Sequence, residues 1–240
     1  MEILSREEWK KNREYGYSSK GLLTVWGKNG IITDSWAQRN ISSIIGYNTI
    51  LNLVIDEGVE SIGNNAFEGL FCLTSLSIPN TVTNIGERAF KRCERLTEVT
   101  IPNSVTNIGK YAFADCSGLV SVNISNSVTN IGEYAFADCS GLVSANISNS
   151  VTNIGKFAFR RCENLTNIII PDSVANIGAG AFAYCSGLIE IINYAKMPQP
   201  FDYQFGGVNE TTCILRVPKG SEATYQSSEG WKKFSHIKAL

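Results

Sequence analysis

Histidine is almost missing from this sequence: His236 is the only one in 240 residues, and no cysteine, serine or carboxylate stands at a recognised catalytic spacing from it. It reads as a residue of the C-terminal end. Lysine and arginine form no long run and the formal net charge is −1, so the electrostatic footprint of a nucleic-acid or anionic-membrane binder is lacking. No apolar stretch approaches the roughly 18–20 residues that cross a bilayer. Met1 to Lys10 has only Ile3 and Leu4 where an export signal needs an apolar stretch. The expectation for location is therefore conditional: secreted or at the cell surface if a signal peptide has been removed, cytoplasmic if Met1 is the native start. There are seven cysteines but no C-x-x-C pair to bring two sulfurs round one metal, so neither a metal site nor a cofactor is expected.

What the chain does have is a repeat. Cys93, Cys116, Cys139, Cys162 and Cys185 are each 23 residues from the last, and each follows a phenylalanine by three residues: Phe90, Phe113, Phe136, Phe159 and Phe182. Counted from Ile78, the unit reads I-P-N-x-V-x-N-I-G-x-x-A-F-x-x-C-x-x-L-x-x-V/I-x. Copies begin at Ile55, Ile78, Ile101, Ile124, Ile147 and Ile170. Residues 113–131 and 136–154 differ only at Val122 and Ala145, which excludes coincidence.

Each column has a physical reason. Leu96-x-x-Val99-x-Ile101 ends in period-2 alternation, a strand with one face inward, and Val105-x-x-Ile108 supplies a second short inward segment. One unit cannot bury these side chains alone. Copies stacked about 4.8 Å apart turn each column into a ribbon of like on like. The glycine of the I-G pair (Gly63, Gly86, Gly109, Gly132, Gly155, Gly178) marks a turn that needs either positive φ or a close backbone approach. The alanine of the A-F pair leaves room for its phenylalanine, and a larger side chain there should overpack the interior.

The I-P, I-G, A-F and C columns together resemble the BspA-like class of leucine-rich repeat, although the first copy has Leu70 in the cysteine column. The tail Ile214-Leu215-Arg216-Val217-Pro218-Lys219-Gly220-Ser221, followed by Tyr225 and Gly230-Trp231-Lys232-Lys233-Phe234, is similar to that family's common ending. The resemblance implies a leucine-rich-repeat solenoid: a curved right-handed coil with a parallel β-sheet on its concave face, short strands and turns on the convex side, and caps at both ends. It also implies an exported adhesin or surface protein, by analogy.

Three regions follow. Residues 1–49 form an N-terminal cap, in which Ser5-x-x-Glu8 starts a short helix and Leu22–Trp26 and Gly30–Thr33 read as a hairpin round Gly27-Lys28-Asn29. Residues 50–192 hold the six repeats. Residues 193–240 form the C-terminal cap, where Met197-Pro198-Gln199-Pro200 breaks the period and Trp231, Phe234 and Ile237 plug the last coil.

Several columns invite a functional reading. The cysteines read as small buried hydrophobes. Asp115 and Asp138 stack like an acid–base pair, but their column runs Arg92, Asp115, Asp138, Arg161, so arginines should keep both ionised. Glu87, Lys110, Glu133 and Lys156 alternate in sign and should set register. Tyr111, Tyr134 and Phe157 form an aromatic column, a ligand stripe or cross-coil stacking. The concave sheet's outward positions are Ser75, Ser77, Glu98, Thr100, Ser121, Asn123, Ser144, Asn146, Asn167, Ile169, Glu190 and Ile192, small and mostly uncharged. They suit weak, multivalent contact with a protein or glycan, or else are simply solvated ladders. The sequons at Asn40, Asn123, Asn146, Asn164 and Asn209 read as chance. The expected function is non-catalytic: binding or adhesion toward host proteins, glycans or other cells, with a structural or intracellular protein-interaction scaffold as the alternative.

Overall fold

The computed structural model describes residues 15–17, 21–27, 30–40 and 49–240. The helix expected after Ser5-x-x-Glu8 lies outside them. From residue 49 onward the chain winds as a parallel β-solenoid in which each coil contributes one longer and one shorter strand. The longer strands are β4 (Asn52–Ile55), β6 (Ser75–Ser77), β8 (Glu98–Thr100), β10 (Ser121–Asn123), β12 (Ser144–Asn146), β14 (Asn167–Ile170) and β16 (Glu190–Asn193). Between them come the two-residue strands β5 (Ser61–Ile62), β7 (Asn84–Ile85), β9 (Asn107–Ile108), β11 (Asn130–Ile131), β13 (Asn153–Ile154) and β15 (Asn176–Ile177). Every pairing between coils is parallel and in repeat register, for example Val122 opposite Val99 and Ala145, and Ile131 opposite Ile108 and Ile154.

The interior is a set of like-on-like ladders. Phe67, Phe90, Phe113, Phe136, Phe159, Phe182 and Phe205 are all fully buried, and Phe113 and Phe136 stack with ring centroids 5.4 Å apart and planes 3° from parallel. Stacked aromatic pairs contribute about 0.5–1.5 kcal/mol beyond the area they bury. The turn that carries the A-F pair is hydrogen-bonded coil to coil as well: Phe113 N–H donates to Ala135 O and Phe136 N–H to Ala158 O, each at 2.8 Å. Neighbouring coils are thus tied through the short strands and the A-F turn, and through the long strands except between β6 and β8 and between β12 and β14.

The turn glycine works through proximity. None of the I-G glycines has positive φ; a Cβ added to Gly109 would sit 2.6 Å from both Gly86 O and Ile85 O of the preceding coil. Left-handed backbone is instead found two and six residues later, in columns led by Asn65 and Gly69 and repeated every 23 residues through Tyr203 and Gly207. Most of these positions are not glycine: Tyr111, Tyr134, Asp115 and Asp138 have φ between 54° and 60°. The stacked coil overrides a preference that costs an L-residue about 1–2 kcal/mol.

Two sequence expectations about the ends need correction. Leu22–Trp26 and Gly30–Thr33 do not form a hairpin with each other. Strand β2 (Leu22–Val25) pairs in parallel with β4 and antiparallel with β1 (Tyr15–Tyr17), whereas β3 (Ile31–Ile32) pairs in parallel with β5. They are the long and short strands of another coil, and α1 (Trp36–Asn40) follows them. Trp36-Ala37 takes the place of the A-F pair, reversed: Ala37 N–H donates to Ala66 O as Phe67 N–H does to Ala89 O, and the Trp36 ring lies 5.7 Å from Phe67. At the other end the phenylalanine column, though not the strand spacing, keeps the 23-residue period past residue 192. Phe205 is 23 residues beyond Phe182 and stacks on it at 5.3 Å. Strand β17 (Ile214–Val217) then joins β16, and after α2 (Glu222–Ser227) and a 3₁₀ turn (Trp231–Lys233), strand β18 (His236–Ala239) joins β17, all in parallel. Trp231 and Phe234 meet Phe205 edge-on at 5.6 and 5.7 Å and close the core.

Candidate functional site

Alternation along the longer strands sends every second side chain out of the solenoid. Ser75, Ser77, Glu98, Thr100, Asn123, Ser144, Asn146, Asn167 and Ile169 are exposed, and Ser121, Glu190 and Ile192 are half-buried. Strand register within each sheet, and the 23-residue spacing from β6 to β8 and from β12 to β14, bring them into two columns. One runs through Ser75, Glu98, Ser121, Ser144, Asn167 and Glu190, the other through Ser77, Thr100, Asn123, Asn146, Ile169 and Ile192. The sequence reading stopped short at both ends. Asn52 and Val54 on β4 and Ile214, Arg216, His236 and Lys238 on β17 and β18 continue the columns. The later ones are hidden in the sequence because the spacing changes from 23 residues to 24 between Ile191 and Leu215.

The two columns change character along their length. In the middle, Asn146 Nδ2 donates to Asn123 Oδ1 at 2.9 Å, so part of the hydrogen-bonding capacity is spent within the protein. Toward the C-terminal end Ile169 is 44% exposed, Ile192 and Ile214 are half-buried, and Arg216 pairs with Glu190 at 2.6 Å.

The thiol column has a hydrogen-bonding logic invisible in sequence. Each Sγ donates to the phenylalanine carbonyl 26 residues earlier, Cys116 to Phe90 O at 3.3 Å and Cys139 to Phe113 O at 3.2 Å. Burial pushes the thiols of Cys93, Cys139 and Cys162 well above the ordinary range, and that of Cys213 up to about 12, so these sulfurs are poor nucleophiles. All seven cysteines are free thiols. Among the described residues no group of three or more His, Cys, Asp or Glu side chains could hold a metal ion. His236 is exposed on β18, opposite Ile214.

The charged columns only partly follow their expected pairing. Lys110 meets Glu133 at 2.9 Å, which raises the lysine pKa, but Glu87 turns to its own neighbour Arg88 at 2.8 Å. Asp115 is held by Lys91 at 3.5 Å, not by Arg92, which goes to Glu94 at 3.9 Å. Asp138 lies 3.8 Å from both Arg160 and Arg161, yet burial outweighs them and pushes its carboxyl above the usual value. The aromatic column stacks: Tyr111 and Tyr134 at 4.6 Å, Tyr134 and Phe157 at 5.0 Å. Arg88, Lys91 and Lys110 lie 5.0–5.6 Å from the Tyr111 ring, a placement that side-chain reach decides and the repeat does not. No helix among the described residues is long and apolar enough to cross a membrane.

A family model described as a BspA type leucine rich repeat region matches residues 60–189 in six copies. No curated protein matches the sequence. Among solved structures, a leucine-rich repeat protein from Bacteroides ovatus is 20% identical, with 94% of this chain and 74% of that chain covered and a TM-score of 0.49. The T. pallidum leucine rich repeat protein is 19% identical, with 95% of both chains covered and a TM-score of 0.49. A leucine rich cell surface protein from Faecalibacterium prausnitzii is 19% identical over 94% of this chain and 92% of that one, with a TM-score of 0.42.

Proposed function

We propose, from the premise that the chain belongs to the BspA-type leucine-rich-repeat family, that it is a non-catalytic binding protein presenting its long-strand face to a protein or glycan outside the cell. The observation that carries this reading is the pair of outward columns on β6 to β16, exposed or half-buried throughout and built mostly of small polar side chains as far as β12. Small polar side chains at a fixed spacing favour many weak contacts summed over several coils. The groups that chemistry would need are mostly committed elsewhere: the five column thiols are buried against carbonyls, Asp115 and Asp138 are ion-paired, and His236 lies on β18 opposite an isoleucine. An array of matrix proteins and glycans tests it. Binding by the parent protein and its loss in a folded Ser121→Arg/Ser144→Arg variant is the expected result; equal binding by both would remove this face from the account.

A second reading, an intracellular interaction scaffold, is favoured by the seven free thiols, which suit a reducing compartment. An export signal encoded ahead of Met1 would decide against it.

A further inference from the structure

Two exposed tyrosines stand on the turn side of the last coils, away from the long-strand face. Tyr203 occupies the column of Tyr111, Tyr134 and Phe157, and Tyr184 occupies that of Asp138 and Arg161. Glycine already serves in both columns, at Gly180 and Gly207, so neither position requires an aromatic ring for its left-handed backbone. The Tyr203 ring is nevertheless laid on a glycine, and the Tyr184 ring has one along its edge. A Cβ on Gly206 would collide with Cζ and both Cε atoms of Tyr203, which places that glycine against the ring's face and not its rim. A Cβ on Gly207 would stand 2.8 Å from Tyr184 Cδ1. Beside these backbone contacts, Tyr184 and Tyr203 remain 45% and 51% exposed. Tyr203 donates its hydroxyl proton to the Tyr184 hydroxyl at 3.4 Å, which joins the two tips. The Arg160 and Arg161 guanidiniums lie 5.8 and 5.9 Å from the Tyr184 ring centre and are steadied by Asp138.

We propose that Tyr184 and Tyr203, flanked by Arg160 and Arg161, form a shallow platform that binds a pyranose-containing glycan chain. Fixed, exposed aromatic surface accepts the C–H face of a sugar ring with little loss of side-chain freedom. The phenol and guanidinium groups around it exchange hydrogen bonds with ring hydroxyls. The choice of a glycan rests on the exposed Tyr203 ring, which has one face against Gly206 and 51% of its residue surface open for stacking. This site is separate from the long-strand face, and each can be correct without the other.

Affinity electrophoresis of the full chain through gels containing mannan, dextran, laminarin, xylan or heparin tests it. At least one polysaccharide should retard the protein, and Tyr184→Gly/Tyr203→Gly should weaken that binding about tenfold or more, as the loss of two aromatic contacts implies. Because glycine is native to both columns, this variant keeps the backbone, which an unchanged thermal unfolding curve would verify. Tyr184→Phe/Tyr203→Phe should keep more of the binding than the glycine variant. Ser121→Arg/Ser144→Arg should leave it unchanged. No retardation by any of the polysaccharides, or equal retardation of the glycine variant, overturns the platform. Retardation lost only in the arginine variant overturns it while supporting the long-strand face.

Discussion

The repeated coils and the coil that ends them solve one problem with different chemistry. Within the repeats, each coil's carbonyls are satisfied by the next: Gly178 N–H donates to Ile154 O at 2.8 Å, and Ser173 Oγ donates to Val151 O at 2.8 Å. Beyond residue 192 those donors are missing, and amide side chains replace them. Gln204 Nε2 donates to Ile177 O at 2.9 Å and to Pro200 O at 2.8 Å, while Gln204 Oε1 accepts from Asp202 N–H at 2.6 Å. Gln199 Nε2 donates to Val174 O, and Gln199 Oε1 accepts from the buried Asn193 amide, both at 2.9 Å. Gln204 fills the column that holds alanine in every repeat. The short-strand sheet can therefore stop at β15 because side chains imitate the backbone of the short strand that does not follow, and among the described residues no buried side-chain nitrogen or oxygen is left without a partner.

If the two regions share one core, Phe136→Ala and Phe205→Ala should both lower unfolding free energy by about 3–5 kcal/mol in urea titrations, since both rings are fully buried. A small loss at Phe205 alone would make the last coil an appendage. Next in size is Gln204→Leu, expected to cost about 2–3 kcal/mol because it strands two carbonyls and an N–H. Its measure is again urea unfolding, and a neutral result would dismiss the imitation of backbone. Gly132→Ala puts a Cβ 2.5 Å from Ile108 O and should cost about 1–3 kcal/mol, where alanine at Gly58, with nothing near, should cost far less. Cys139→Val keeps volume but loses the bond to Phe113 O; about 1 kcal/mol is expected, against no penalty in a purely apolar column.

The smallest expected effect concerns pH. Burial raises the Asp138 carboxyl above its unfolded value of 3.8, so the folded state holds the proton more tightly than the unfolded state. Its contribution to stability is therefore greatest below the unfolded pKa and is lost as pH rises through the folded one. Asp138→Asn should flatten that part of a stability-versus-pH curve; an unchanged slope would assign it to other carboxyls.

Where one coil repeats another, the sequence is sufficient to place the fold. The strands, the phenylalanine ladder, the buried thiols and the two outward columns all follow from a 23-residue frame. Legibility fails where the frame is kept by different residues. Trp36-Ala37 does not look like an A-F pair, and Gln204-Phe205 preserves the spacing behind a proline-rich segment. The hairpin expected over residues 22–33 failed because a strand–turn–strand pattern cannot say whether the strands pair with each other or with a later coil. Side-chain pairing on the surface was the least readable: Asp115 chose Lys91 over Arg92 by reach, and Tyr184 and Tyr203 meet although neither column predicts it.

Deleting residues 124–146, one whole coil of 23 residues, and comparing the product with a deletion of 124–145 tests the stacking of like on like most directly. The 23-residue deletion should unfold cooperatively on heating, with strand content reduced only by the missing coil. The 22-residue deletion should fail to fold or unfold at much lower temperature, because every later column is moved out of line. Indistinguishable melting of the two products would contradict the account.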